Sequence, residues 1–355
     1  MRRKRDILYY TVTIFCCLLA LTVLAAGGLL IYRKVVGGNQ SILTNSGVQG
    51  GEHSVYTQEE VDALLAEVVM ETESQVKKKV TTDFLNNIRL SLEGGKTILE
   101  TLRPMFPEYL VVVSGGKYNF VPIRHDLKKH NLEQEKLEIL EDGEYQYVDD
   151  EVILSYKGID VSKYQGDINW EKVAASGVEY AFVRVGLRGY GAAGKIVMDE
   201  TYKKNIEGAL AAGVDVGVYF FTQAVTEAEA LEEANVVLDA IKGYDITYPI
   251  VFDVEKTTAA EGRMNQLTVE ERTKIARVFL DRIKEAGYTP MIYANMEMWT
   301  MLIDMAQLED VEKWYAYYGT ELYLPYEFAI WQYTDSGRVP GIDGEVDMNI
   351  SFKKW

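Results

Sequence analysis

Short apolar segments alternate with helical segments through the C-terminal part of the chain, from residue 153 to the end. The first five predicted strands are 158–162, 180–186, 216–221, 249–254 and 290–294. The helical segments between them close on glycine, which favours the left-handed conformation that often ends a helix. These glycines are Gly177, Gly213, Gly243 and Gly287. Three more predicted strands follow with little room for helices, at 312–316, 328–333 and 346–350. The alternation is typical of parallel βα units, so eight strands predict an α/β fold that closes into a TIM-like barrel with an irregular last third.

Carboxylates stand at the ends of several predicted strands. Asp253 and Glu255 follow the apolar run 248–252, while Asp160 and Asp347 fall in the first and eighth strands. The active site of such a barrel lies at the carboxyl ends of its strands, so we expect these four acids to lie together. Residues two apart in a strand point to the same face, so Asp253 and Glu255 should project side by side and push their pKa values apart.

Histidine and cysteine are both absent after residue 150. This excludes a catalytic imidazole and the usual soft ligands of zinc from the barrel, so we expect carboxylate chemistry with no metal and no cofactor. The net charge of -17 over 355 residues argues against nucleic acid as a partner. The two cysteines, Cys16 and Cys17, lie in an apolar N-terminal run, so no disulfide is expected in the folded part.

Four segments, in order along the chain, resemble the glycoside hydrolase family 25 lysozymes, the muramidases of Chalaropsis type. They are Gly158 to Trp170, Pro249 to Glu255, Ala329 to Tyr333, and Val346 to Asn349. The similar region covers about residues 155 to 353 and leaves out residues 1 to 150. The resemblance implies an irregular (β/α)5(β)3 barrel. It also implies hydrolysis of the β-1,4 bond between N-acetylmuramic acid and N-acetylglucosamine in the glycan strands of peptidoglycan.

By the same resemblance, Glu255 is expected to be the general acid/base. Asp253 would stabilise positive charge or position the 2-acetamido group of the substrate, and Asp160 and Asp347 would complete an acidic groove floor. Further candidates for sugar contacts are Tyr164, Tyr219, Tyr293, Trp331, Gln332 and Tyr333. Each aromatic residue has packing in the core as its alternative role, because aromatic side chains bury large areas in any domain. Arg184 is expected to form an ion pair.

The N-terminus carries a membrane signal. The uncharged segment Ile7 to Tyr32 is longer than the roughly 20 residues that a spanning helix needs. Four basic residues precede it at positions 2 to 5, and only Arg33 and Lys34 follow before Lys77. The positive-inside rule therefore predicts a single-pass anchor in the cell membrane, residues 1–35, with an extracytoplasmic catalytic domain. Cleavage as a signal peptide is the alternative.

A linker and a stalk are predicted between the anchor and the barrel. Residues 36–56 are rich in Gly, Ser, Asn and Gln, which indicates a flexible linker. Thr57 to Glu60 is a capping box that begins a helix with a one-sided apolar pattern. We expect a two-helix stalk broken at Gly94-Gly95, followed by two β-hairpins. We interpret residues 57–152 as a spacer beneath the domain 153–355, with self-association through the stalk as the alternative.

Two other functions compete with the muramidase interpretation. A chitinase-like hydrolase would require a D-x-x-D-x-D-x-E pattern, but Tyr248 and Val251 occupy the positions of its first two acids. A catalytically silent module that only binds cell-wall glycan would not need both Asp253 and Glu255. The sequence therefore favours the muramidase.

Overall fold

The computed structural model describes residues 57–257 and 262–355. The chain divides into two units between Pro104 and Met105. The predicted membrane segment and the linker 36–56 lie outside the described residues. Within 57–257 and 262–355, no helix is both long and apolar enough to cross a membrane.

The described part of the first unit is mostly one helix. Helix α1 (Gln58–Glu93) begins at the predicted capping box, in which the Thr57 hydroxyl accepts from the Glu60 N–H and the Glu60 carboxylate accepts from the Thr57 N–H. It ends at Gly94, and a second helix, α2 (Ile98–Leu102), has only five residues. The apolar residues of the predicted helix face are largely exposed to solvent, among them Val61, Leu65, Val80, Phe84 and Leu92.

The second unit opens with a small β module. Strands β1 (Tyr109–Ser114) and β2 (Lys117–Pro122) form the first predicted hairpin. Strands β3 (Leu137–Ile139) and β4 (Tyr145–Asp149) form the second, and β5 (Val152–Ile153) pairs with β4. Both hairpins therefore form at the glycine-containing turns that the sequence indicated.

Eight strands close a barrel. They are β6 (Tyr156–Val161), β7 (Tyr180–Arg188), β9 (Asp215–Phe221), β10 (Ile250–Asp253), β11 (Pro290–Asn295), β12 (Glu312–Ala316), β13 (Ile330–Gly337) and β14 (Val346–Ser351). The first seven run parallel, and β14 closes the barrel by pairing antiparallel with both β13 and β6. The short strand β8 (Ile196–Met198), which the sequence did not indicate, pairs antiparallel with the end of β7. The predicted closed barrel is thus confirmed.

Four α-helices connect the parallel strands. They are α3 (Trp170–Ala175), α4 (Tyr202–Ala211), α5 (Glu227–Ala240) and α6 (Val269–Glu285). Gly213 and Gly287 follow α4 and α6 with φ of 77° and 89°, the left-handed conformation expected of a helix-ending glycine. After β11 the chain forms a π-helical turn, Met298–Leu302, in place of a regular α-helix.

Aromatic side chains fill the barrel interior below the carboxyl ends of its strands. The rings of Phe182 and Trp314 stack with centroids 4.5 Å apart, and those of Tyr180 and Tyr248 stack at 4.6 Å. Because side chains alternate along β7, Tyr180 and Phe182 point inward and Arg184 continues the same row toward the carboxyl end. This packed floor leaves only the carboxyl end of the barrel for polar groups.

The β module packs on the barrel. The Tyr145 ring stacks on the Tyr333 ring with centroids 4.3 Å apart and an interplanar angle of 9°. The Val111 N–H donates to the Tyr323 hydroxyl at 2.7 Å, and the Ser114 hydroxyl donates to Glu297 at 2.6 Å. Residues 105–152 therefore belong to the same compact unit as the barrel, although the sequence analysis assigned them to a separate spacer. The aromatic contacts across the two parts account for this difference.

Candidate active site

Four carboxylates meet at the carboxyl end of the barrel. Asp253 is the last residue of β10, and Glu255 follows it by two positions. Asp160 lies on β6 and is the direct register partner of Asp347 on β14. Burial, and with it the negative charge of Asp160, raises the pKa of Asp253, Glu255 and Asp347, as expected of carboxylates gathered in one site. The structure therefore brings together all four acids that the sequence placed at strand ends.

Asp160 is held by two amide side chains. Its Oδ2 accepts from Gln332 Nε2 at 2.8 Å and from Asn349 Nδ2 at 2.9 Å. Trp314 Nε1 donates to Asn349 Oδ1 at 2.8 Å and so fixes the orientation of that amide. Burial raises the pKa of Asp160 to about 6, while the two amide hydrogen bonds act in the opposite direction. This carboxylate is thus rigidly positioned.

Asp253 and Glu255 form a coupled pair. Burial raises the pKa of Asp253 well above its usual range, and the charges of Glu255 and Asp160 add to this. Burial and the Asp160 charge also raise the pKa of Glu255, whereas a side-chain hydrogen bond with Asp253 lowers it. Two neighbouring carboxyls in such a setting share protons. The raised pKa values therefore favour a transferable proton held within the pair.

Asp347 is the most strongly perturbed of the partly exposed acids. Burial, followed by the charges of Asp160 and Asp335, raises the pKa of Asp347 to about 9. Arg184 is the cation that lowers the pKa of Asp253. However, its Nε lies 2.9 Å from Oδ2 of Asp199, so the guanidinium is already in the ion pair that the sequence analysis expected.

Three of the predicted tyrosines line the site. Tyr219 and Tyr293 are largely buried near Asp160 and Asp253, whose charges act on both hydroxyls. The Tyr293 hydroxyl donates to Gln332 Oε1 at 2.7 Å. Tyr164 is 76% exposed, and its ring faces the Arg184 guanidinium at 5.1 Å. Together these rings form walls around the acids.

Trp331 and Tyr333 do not reach the carboxylates. They flank Gln332 on β13, and because Gln332 points inward its neighbours point outward. Trp331 is fully buried, and its Nε1 donates to the Tyr317 carbonyl at 2.7 Å. Tyr333 packs on Tyr145 of the β module. The structure thus places both aromatics in packing positions, the alternative role that the sequence analysis gave them.

Two residues of the site were missed. Asn349 holds Asp160 and lies two residues after Asp347, so strand alternation places it on the same face. Tyr318 follows β12, and its hydroxyl donates to Gln332 Oε1 at 2.9 Å. Tyr318 could have been found from the sequence, because it lies just after the carboxyl end of a predicted strand, where the active-site residues of such barrels lie. Within the described ranges, no group of three or more His, Cys, Asp or Glu side chains is arranged to hold a metal ion.

Comparisons with known proteins point to one family. The family model described as Glycosyl hydrolases family 25 matches residues 159–342. The autolytic lysozyme of Clostridium acetobutylicum is 26% identical over 194 residues, which cover 54% of this chain and 55% of that protein. Lysozyme M1 of Streptomyces globisporus is 26% identical over 202 residues, 54% of this chain and 66% of that protein. The chain thus spans about half to two thirds of the length of these relatives.

A solved structure agrees on the fold. The modular autolysin LytC from Streptococcus pneumoniae superposes with a TM-score of 0.50 and 24% identity, covering 68% of this chain and 57% of that one. The family match itself extends over more than half of the chain and contains Asp160, Asp253 and Glu255. The chain therefore belongs to the glycosyl hydrolases family 25.

Proposed function

We propose that this protein is a membrane-anchored muramidase that hydrolyses the β-1,4 bond between N-acetylmuramic acid and N-acetylglucosamine in peptidoglycan. The observation that carries the proposal is the position of Asp253 and Glu255, side by side at the carboxyl end of a central strand in a family 25 barrel. Two relatives, from Clostridium acetobutylicum and Streptomyces globisporus, are named as lysozymes. Glycosidases commonly use two carboxyls that flank the bond to be cleaved.

Glu255 is the proposed general acid. Burial raises the pKa of Glu255 above its usual range, which favours the protonated form of this carboxyl in the free enzyme. It gives this proton to the glycosidic oxygen as the bond to the anomeric carbon breaks. The resulting carboxylate then takes a proton from the water that attacks the sugar, which restores the acid for the next cycle.

Asp253 is the proposed stabiliser of the positive charge that develops at the anomeric carbon. Its Oδ1 is buried and has no hydrogen-bond partner among the described residues. Because an unpartnered buried oxygen is costly, a substrate N–H that bonds to it would be strongly favoured. The 2-acetamido group of the substrate carries such an N–H. Asp253 would then orient the acetamide, whose oxygen can assist at the anomeric carbon in place of a protein nucleophile.

The other polar groups are proposed to position the sugars. Asp160, fixed by Gln332 and Asn349, presents a rigid acceptor on the groove floor. Tyr219 and Tyr293 supply ring faces and hydroxyls beside it. Hydroxyl-rich sugars with apolar ring faces suit a site of this composition.

We also propose that residues 1–35 anchor the chain in the cell membrane with the barrel outside the cytoplasm. The support is the charge asymmetry around the apolar segment Ile7 to Tyr32. Self-association through helix α1 is also proposed, because it would bury the apolar residues that are exposed on this helix. Protease added to cells with opened outer layers should degrade the barrel, and full protection of the barrel would contradict this topology.

Incubation of the purified protein with purified peptidoglycan, and separately with chitin, tests the function. We expect soluble fragments with new reducing ends from peptidoglycan and none from chitin. Binding to peptidoglycan without turnover would support the silent glycan-binding module in place of the enzyme. Turnover of chitin alone would support the chitinase-like alternative.

A further inference from the structure

A cleft of about 790 Å³ lies between the β module and the barrel. On one side it is lined by Asp142 and Tyr145, at the turn that joins β3 to β4. On the other side it is lined by Tyr318 and Thr320, which follow β12, and by Ser336 near the end of β13. The family match begins at residue 159, so the module side of this cleft lies outside the matched region.

Tyr318 connects the cleft with the active site. Its side chain lines the cleft and is about half exposed. Its hydroxyl donates to Gln332 Oε1, and Gln332 Nε2 in turn donates to Asp160. Tyr318 therefore contacts both the hydrogen-bond network that holds Asp160 and the lining of the cleft.

The charges in the cleft are largely neutralised. Lys157 forms an ion pair with Glu144 and also donates to the Ser176 carbonyl at 3.1 Å. Arg338 lies 3.6 Å from Glu345. Both cations of the lining thus have a carboxylate partner, although the Arg338 pair is exposed, and Asp142 adds a negative charge, so the lining does not favour an acidic peptide.

The remaining lining combines hydroxyls with apolar surface. Thr320, Thr334 and Ser336 contribute hydroxyls, and Tyr318 and Ile139 contribute exposed apolar surface. Sugar rings present the same combination, with hydroxyls at their edges and apolar faces that pack on aromatic rings. The cleft is thus chemically matched to the uncharged sugar units of a glycan strand, such as N-acetylglucosamine.

We propose that this cleft binds sugars of the glycan strand beyond those held at the catalytic carboxylates, an inference that rests on the proposed function. In this role the β module supplies half of an extended glycan site. The enzyme would then prefer long glycan strands over short fragments, because only long strands reach past Tyr318 into the cleft.

The test is binding of peptide-free glycan strands to the full-length chain carrying Glu255→Gln, so that no turnover occurs. Two probes are used: a tetrasaccharide, and strands longer than an octasaccharide. We expect the long strands to bind at least about tenfold more tightly, which corresponds to about 1.4 kcal/mol. Ser336→Trp and Thr320→Trp, each made in this background, fill the cleft from two different loops and should remove that preference.

Thr82→Trp, on the exposed surface of α1, is the matched control and should keep the preference. Binding of the tetrasaccharide reports that each variant is folded. Equal affinity for both probes would overturn the proposal, as would a preference that survives both cleft-filling variants. Strands that still carry their peptides are a third probe. A preference for long strands that is seen only with these would show that the cleft binds peptide, and it would also overturn the proposal. Failure of the proposed function would show separately, as absence of turnover by the wild-type protein.

Discussion

Asp347 lies directly opposite Asp160 across the antiparallel pair of β14 and β6, so the two carboxyls share one face of the barrel. Burial and this neighbouring charge raise the pKa of Asp347 to about 9, while burial raises the pKa of Asp160 to about 6 against the opposing effect of its two amide hydrogen bonds. Asp253 and Glu255 face the same pair. The site therefore gathers more carboxyls than it can keep ionised at once, and it holds protons that exposed acids would have lost.

This arrangement makes stability depend on pH. An acid whose pKa is higher in the folded than in the unfolded state binds more protons when folded, so the free energy of unfolding falls as pH rises. For Asp347 the window runs from the usual aspartate pKa of 3.8 to the raised pKa of about 9. We expect Asp347→Asn to flatten this fall, by an amount on the order of 1 kcal/mol after allowance for its partial contact with water.

Denaturant unfolding at several pH values between 4 and 9 measures this effect. Asp343→Asn, which changes an exposed aspartate outside the site, is the control and should follow the wild-type curve. Curves of equal slope for wild type and Asp347→Asn would show that Asp347 does not hold its proton.

Asp253→Asn separates catalysis from stability. The amide cannot become anionic beside the developing positive charge, so we expect the rate of glycan cleavage to fall by about 100-fold. Burial raises the pKa of Asp253, so a neutral amide removes a charge that burial disfavours, and the unfolding temperature should stay the same or rise. A rate within about threefold of wild type would exclude the stabilising role of Asp253.

Two tyrosine hydroxyls should behave differently. The hydroxyl of Tyr318 bonds to Gln332 in the site, so Tyr318→Phe should lower kcat/KM by roughly threefold to tenfold, the value of one hydrogen bond. The hydroxyl of Tyr333 accepts from the backbone of Tyr145 in the β module. Tyr333→Phe should therefore leave kcat/KM for a tetrasaccharide unchanged and lower the free energy of unfolding by about 1 kcal/mol. Equal losses of kcat/KM in both variants would contradict the placement of Tyr333.

Docking of the β module should stabilise the barrel. Tyr145 stacks on Tyr333 and contacts Trp331 edge to face, so Tyr145→Ala should lower the free energy of unfolding by about 2 kcal/mol. Tyr145→Phe keeps the ring and is the matched control. A fragment of residues 153–355 should likewise unfold at a lower temperature than one of residues 105–355. Identical unfolding temperatures for the two fragments would mean that the module contributes nothing to the fold of the barrel.

Much of the barrel was predictable because its strands are short apolar runs that end in turn residues or acids. The run before Asp253 and Glu255, for example, placed both at the carboxyl end of a central strand. The same rule located Asp160. Strand β8 was not predicted, because its three residues lie in a connecting segment and are too few to show a periodic apolar pattern.

The orientation of Trp331 and Tyr333, and the residue that buries their face of the strand, could not be predicted from the sequence. Alternation along β13 shows that Trp331 and Tyr333 share a face, but it does not tell which face is inward, because both faces of this strand are buried. The outer face is buried by Tyr145, a residue more than 180 positions earlier in the chain and outside the region of family resemblance. Packing between such distant segments leaves no local pattern in the sequence.

The formation of new reducing ends from purified peptidoglycan, by the wild-type protein and by Glu255→Gln, tests the central claim most directly. Glutamine keeps the shape of the side chain but has no proton to transfer, so we expect a loss of at least about 100-fold with folding unchanged. Glu285→Gln, an exposed position at the end of α6, should match the wild type. The new reducing-end sugar should be N-acetylmuramic acid. A Glu255→Gln enzyme that keeps most of the wild-type rate would show that the catalytic acid lies elsewhere.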